Sequence, residues 1–264
     1  MHLHAGITSL LVTAILCAAC AKDLRPKSPP RLQPALITEV MLFGGTGTVG
    51  DGILKALLSE PRVKTIHVVT RRLTKRISAG VKMGKVQVIY HKNYMDYRPI
   101  TGLLSTVRTV YWALGVSTFK VSKKTYRKIH IDYPLAFARL WIATLKSKSG
   151  AAFHVITSAR TSKTSWFHWA RAKAKAEERL RTLARGTGVR MVFYRPEYVK
   201  GTSERASLCS RFMYPFIYIS FGAIRALHIG QAIIEVTVRP DEFPNGTILE
   251  NASIRRFAEH YQKR

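Results

Sequence analysis

Acidic residues are scarce in this chain: 15 Asp and Glu stand against 43 Lys and Arg, a formal net charge of +28 over 264 residues. That imbalance excludes a neutral surface and favours anionic membranes, nucleic acid or other polyanions as surroundings, while leaving the fold open. No acid lies between Glu60 and Asp96, an interval that carries Arg62, Lys64, Arg71, Arg72, Lys75, Arg76, Lys82, Lys85 and Lys92. A second acid-poor stretch holds Lys120, Lys123, Lys124, Arg127 and Lys128. Aromatics do not alternate with these residues in a nucleic-acid motif, which ranks nucleic acid behind an anionic membrane surface as a partner. Cysteine is equally thin. Cys17, Cys20 and Cys209 exclude a disulfide framework, and Cys17-x-x-Cys20 has no His or Cys partner at zinc spacing, so no metal site is expected. Also absent are a Gly-x-Ser-x-Gly elbow, a phosphate-loop Gly-Lys-Ser/Thr and a His-Glu-x-x-His pair. Apolar residues make up 47% of the chain, enough for the core of one α/β domain.

What is present is a glycine loop in a readable context. Val40-Met-Leu-Phe delivers Gly44-Gly45-Thr46-Gly47-Thr48-Val49-Gly50, and an apolar-periodic helix follows at once. A backbone turning this tightly under a dinucleotide pyrophosphate needs residues without Cβ. The helix behind it offers free N–H groups and the positive end of its dipole. Downstream, strand-like runs at 37–43, 64–70, 85–91, 108–114, 152–157 and 189–194 alternate with helical segments at about 48–59, within 123–146, and at 165–185. This predicts an α/β fold with a doubly wound parallel sheet, ligands at the carboxyl ends of the strands, and a small C-terminal substrate lobe from about 197. That lobe would hold the apolar stretch 212–224, a helix-like 229–237 and a charged helix at about 250–263.

Strand two ends at Thr70, where a carboxylate would select the ribose 2′-hydroxyl of NAD. Arg71-Arg72 follow instead, and guanidinium groups suit a 2′-phosphate, so NADP(H) is preferred, with NAD the alternative. On the long helix Trp166, Trp169, Ala172, Ala176, Leu180 and Leu183 form an expected inward stripe, and Lys173 falls on it. As alternative proton donors, His168 points to a different helix face and Tyr194 and Tyr198 flank Arg195-Pro196 near the expected substrate side, and no spacing singles out any of them.

With these residues in place, the chain resembles the atypical short-chain dehydrogenase/reductase group, the Tat-interacting-protein-like and NmrA-like NAD(P)-binding proteins. The resemblance rests on the glycine loop, Arg71-Arg72, Ala113-Leu114-Gly115, Thr157-Ser158, Arg195-Pro196 and Ile248-Leu-Glu-Asn251. It implies that Ala113, Leu114 and Gly115 line the cofactor cleft and that Asn93 stands beside the adenine. It also implies that Ser158 and Lys173 are the catalytic positions, with Lys173 holding the ribose and an unknown small carbonyl compound as substrate. One departure is plain. The family's catalytic tyrosine precedes its lysine by four residues, and Trp169 occupies that position here. An indole N–H has no useful acidity near neutral pH, so activity is uncertain, and a non-catalytic dinucleotide sensor or scaffold presenting its basic surface is the alternative.

At the amino end, Ile7–Ala21 is an uncharged apolar run, followed by a basic, proline-rich linker over 22–34 and the domain from 35. Positive charge lies after the run and none before it, which predicts an anchor with the domain facing the cytosol. Signal-peptide cleavage with secretion, or a mitochondrial location, are the alternatives.

Overall fold

β1 (Glu39–Phe43) sets the pattern of the molecule: Val40 and Leu42 enter one core, Met41 and Phe43 the other, and all four are buried. A two-residue period with both faces apolar is what a parallel strand covered on both sides requires. The computed structural model describes residues 31–202 and 222–264. In chain order the other strands are β2 (Thr65–Thr70), β3 (Val86–Tyr90), β4 (Thr109–Trp112), β5 (Ala152–Ile156), β6 (Arg190–Arg195), β7 (Val199–Lys200), β8 (Ile224–Arg225) and β9 (Thr247–Glu250). Seven of them form one parallel sheet in the order β3-β2-β1-β4-β5-β6-β9, and β7 pairs with β8. The chain reverses direction of growth between β1 and β4, so a crevice opens at the carboxyl ends of those two strands.

Helices α1 (Thr48–Ser59), α2 (Lys75–Lys82), α7 (Ala226–Thr237) and α8 (Asn251–Gln262) cover one face. The short α3 (Thr101–Leu104) and α4 (Lys123–Arg127), with α5 (Tyr133–Thr144) and α6 (His168–Leu183), cover the other. A π-type turn, Lys128–Asp132, joins α4 to α5. Such turns often mark functional positions, and this one carries His130.

The six expected strands and the main helices are present, with shifts at their ends. Ile37 lies in a 3-10 turn, Pro34–Ile37, ahead of β1. Five elements escaped the sequence reading: α2, α3, β7, β8 and β9. α2 is eight residues long and buries only Ile77 and Gly80, too little for a readable period, although Thr74 caps it at Ile77 N. β9 is an edge strand of four residues in which only Leu249 is buried. Trp166 corrects the expected stripe: α6 begins at His168, and Trp166 lies before it, 96% exposed. Ala172, Ala176 and Leu180 do face the core, with Trp169 half-buried against it. The apolar run 7–21, linker residues 22–30 and the stretch 203–221 lie outside the described residues. Among the described residues no helix is long and apolar enough to cross a membrane.

A polar network closes the core under α7. Thr237 Oγ1 donates to Ile233 O at 2.6 Å, which leaves its lone pairs for Tyr111 Oη at 3.1 Å and His154 Nε2 at 3.2 Å. His154 Nδ1 then accepts from Tyr194 Oη at 2.9 Å. Every group is satisfied only if His154 is neutral, because a proton on Nδ1 would face the Tyr194 donor. Burial holds His154 well below the ordinary histidine range. It also lowers His130 to about 4, with the Lys173 charge adding to the effect. Both histidines bind protons more weakly folded than unfolded, so their contribution is complete above pH 6.5 and is lost on acidification, for His130 as pH falls towards 4. For His130 alone the loss is about 3 kcal/mol. Urea melts should therefore give a markedly lower midpoint at pH 4.5 than at pH 7, and His154→Gln should shrink that difference. Equal midpoints at the two pH values would refute it.

Candidate functional site

The site is assembled from the loops that leave the carboxyl ends of β1 to β5. Gly44 leaves β1 at φ +76, and a Cβ there would lie 2.5 Å from the Ala113 carbonyl carbon and oxygen. Gly44 is thus required by backbone shape and by the strand next door. Gly47 N donates to Gly44 O at 2.8 Å to close the turn. Gly47 is also the N-cap of α1, in extended backbone geometry and with no side chain to satisfy the first helical N–H groups of Thr48, Val49 and Gly50. Gly45 and Gly50 are buried, whereas Gly47 and Thr48 are exposed above them. The arrangement is a cradle of backbone donors at a positive helix end, which fits a pyrophosphate. Behind it Asp51 accepts from Arg76 Nε at 2.9 Å and from Thr202 Oγ1 at 2.6 Å, so a guanidinium balances its charge.

At the end of β2 the Thr70 hydroxyl donates to Arg72 O and accepts from Arg72 N, which folds the chain into a tight turn and leaves Arg71 and Arg72 exposed. Arg71 lies over the Tyr94 ring, 5.9 Å from its centroid. Asn93, exposed beside it, is held by the His91 ring on its carbonyl at 2.8 Å. The structure therefore groups Arg71, Arg72 and Asn93 on one side of the glycine loop.

Ala113, Leu114 and Gly115 lie on the other side. A Cβ on Gly115 would meet His130 Cε1 at 2.9 Å, and the His130 ring bonds the Val116 backbone and stacks on Tyr126 at 4.1 Å. The π-type turn thus presses a neutral imidazole against this wall. Lys173 reaches the same place from α6, and its Nζ donates to Thr157 O at 2.9 Å. Burial brings its pKa down to about 8 against the opposing pull of Glu177. One peptide further on, Ser158 Oγ is buried and, among the described residues, has no hydrogen-bond partner. A buried hydroxyl left without a partner is costly unless a ligand completes it. The following turn passes through Arg160 at φ +61, a strained left-handed position worth about 1–3 kcal/mol.

Two participants were missed in the sequence. His130 meets Gly115 only through the fold, and nothing local signals it. Glu177 stands four residues after Lys173, the first acid after Asp132, and that isolation was a usable signal. Its carboxylate accepts from Thr157 Oγ1 at 2.7 Å and pairs with Arg195 Nη2 at 2.5 Å, while Arg195 Nη1 pairs with Glu250 at 3.0 Å. This cluster fixes Thr157, and through it the carbonyl that holds Lys173.

The other proton-donor candidates are corrected or displaced. Tyr194 is fully buried on His154, on the opposite face of the sheet from α6, because its strand register turns it inward. His168 is bonded to Thr118 Oγ1 at 2.9 Å, and Tyr198 is 42% exposed in the loop before β7. Burial raises the phenol of Tyr126 to about 12, with no lysine acting to lower it.

No family model matches the chain. Over 175 residues it is 27% identical to leucinostatins biosynthesis cluster protein T of Purpureocillium lilacinum, spanning 66% of this chain and 62% of that protein. Over 166 residues it is 25% identical to protein fmp52-1, mitochondrial, of Aspergillus oryzae, spanning 62% of this chain and 67% of that protein. Among solved structures, a short-chain dehydrogenase/reductase family oxidoreductase from Burkholderia thailandensis superposes with a TM-score of 0.65 at 14% identity, covering 89% of this chain and 98% of the other. NADPH-bound carbonyl reductase from chicken fatty liver gives 0.62 at 14% identity, covering 82% and 97%. A 3-oxoacyl-[acyl-carrier protein] reductase from Brucella melitensis in complex with NAD gives 0.61 at 13% identity, covering 86% and 98%. Sheet order, glycine loop and superposition agree: the chain has the doubly wound Rossmann-type fold seen in solved short-chain dehydrogenase/reductases.

Proposed function

We propose that the chain is an NADP(H)-dependent reductase of a small carbonyl compound, related to the atypical short-chain dehydrogenase/reductases. The observation that carries this reading is the placement of Lys173 Nζ on Thr157 O, one peptide from the orphaned Ser158 hydroxyl and on the same sheet edge as the glycine loop. The first-turn N–H groups of α1 bind the pyrophosphate, and Arg71 and Arg72 donate charge-assisted hydrogen bonds to the 2′-phosphate. NADPH, when bound, supplies a hydride for the carbonyl carbon. The carbonyl oxygen then needs a proton, which the indole of Trp169 cannot give. Ser158 directs its hydroxyl hydrogen at that oxygen, and the Lys173 ammonium, largely protonated at pH 7, is the proton source beside it. His130 and Trp169 line the approach without titrating near neutrality.

A titration of the full chain with NADPH and NADH, followed by nucleotide fluorescence, tests the reading. NADPH should bind the tighter, by about tenfold or more, for one doubly charged phosphate met by two guanidinium groups. Gly47→Asp is the control, since Asp is a favoured N-cap in this backbone geometry. It should preserve the melting temperature while its carboxylate takes the phosphate's place and abolishes binding. Equal binding of both nucleotides would remove the NADP preference, and binding of neither would remove the function.

A further inference from the structure

Two turns at the carboxyl edge of the sheet display aromatic side chains that pack against little. Phe119 and Trp166 are each 96% exposed and Phe167 is 63% exposed. Leaving such side chains in water forgoes their hydrophobic stabilisation, so three at one place call for an explanation. The turns are firmly built. Thr118 Oγ1 and the His168 ring join them at 2.9 Å, one residue from Phe119 and one from Phe167. Arg171 Nη1 donates to Trp166 O at 2.7 Å, Phe167 N to Ser165 Oγ at 3.2 Å, and Phe167 stacks on Trp169 with centroids 5.9 Å apart. The surroundings are basic. Lys120, Lys123, Lys124 and Lys163 are exposed here, and from Tyr97 to Ala176 the chain contains one acid, Asp132. Lys163 pairs with Glu178 at 2.6 Å, an acid from beyond that interval.

We infer that this aromatic rim, Phe119, Trp166 and Phe167 within a lysine collar, docks on an anionic lipid bilayer and brings the mouth of the cleft against it. Trp and Phe partition into the headgroup boundary, where an indole has both apolar contact and a partner for its N–H. Lysines are drawn to a negatively charged leaflet, and with Glu178 tied to Lys163 few carboxylates oppose them. A nucleic-acid strand would need the rings to line a groove as stacking platforms, whereas here they stand at the tips of two turns. The surface goes beyond the reductase reading and does not depend on it.

The test uses the full chain with vesicles of phosphatidylcholine carrying roughly 30% phosphatidylserine, with pure phosphatidylcholine vesicles and single-stranded oligonucleotide as comparison arms. Trp112 and Trp141 are buried and Trp169 half-buried, so quenching of tryptophan emission by brominated lipid reads chiefly Trp166. Quenching is expected on anionic vesicles, absent in Trp166→Ser. The triple variant Phe119→Ser, Trp166→Ser, Phe167→Ser should bind these vesicles about tenfold more weakly. NADPH titration of the same variant reports separately on its fold and on the reductase reading. Vesicle binding without quenching would mean that another segment holds the chain to lipid, and would overturn the inference. So would equal binding by the triple variant, or quenching by oligonucleotide in place of vesicles.

Discussion

Gly50→Val should yield no folded protein, judged by the loss of a cooperative thermal transition in circular dichroism. A Cβ at Gly50 would sit 2.0 Å from Gly44 O, 2.6 Å from Gly44 C and 2.9 Å from Gly45 N. All three are backbone atoms of the turn that links β1 to α1, and none can rotate away. Gly44 in turn lies under the Ala113 carbonyl, so relieving the clash means pushing the loop into β4 or lifting α1 off the sheet. α1 contributes Ile53, Leu54 and Leu57 to the core, all fully buried. The cost exceeds about 4 kcal/mol, a large share of the 5–15 kcal/mol that stabilises a domain. Gly47 makes the contrast. Its Cβ would meet only Gly44 O, at 3.3 Å, so Gly47→Asp should fold while failing to bind nucleotide. A Gly50→Val protein that melts within a few degrees of the native one would show that the loop is far softer than these distances imply.

The glycine loop was readable because its demands are local: a strand, a turn without Cβ and a helix start follow one another within a dozen residues. The sheet was readable for a similar reason, since fully buried parallel strands are continuous apolar runs. Lys173 drew notice through the family resemblance and its place on a helix face. The partners that define its chemistry were not. Glu177 reaches Thr157 and Arg195 across 18 to 20 residues, and His130 reaches Gly115 and Val116 from a π-type turn that no local pattern announces. Trp166 was misplaced because periodicity gives the phase of a helix and not its first residue, and Phe167 in extended geometry is what sets that start. Tyr194 shows the same limit for strands. Its neighbour Arg195 opens to Glu177 and Glu250, while Tyr194 itself turns to the opposite face and serves the core.

Lys173→Met should cut turnover of a carbonyl substrate by 10²–10⁴-fold, about 3–5 kcal/mol, while the methionine stem preserves packing and the melting temperature. On the proposed mechanism the loss is large because Trp169 stands where a phenol would carry the proton, and Ser158 then relies on the Lys173 ammonium. The pH dependence follows from the environment of Lys173. With burial lowering its pKa to about 8, the protonated form prevails at pH 7 and disappears above that value, so kcat/KM should fall as pH rises through 8. Bound nucleotide phosphates favour the ammonium, and the corresponding limb in kcat should therefore lie at higher pH. A role confined to holding the ribose predicts something different: Lys173→Met would raise KM for NADPH and leave the alkaline limb unchanged. Trp169→Tyr completes the comparison. A phenol one helical turn before Lys173 restores the missing acid, and turnover in that variant should rise and lose its sensitivity to the loss of the lysine proton. Failure of Trp169→Tyr to raise turnover, together with a flat pH profile in the native chain, would place the proton source elsewhere than on α6.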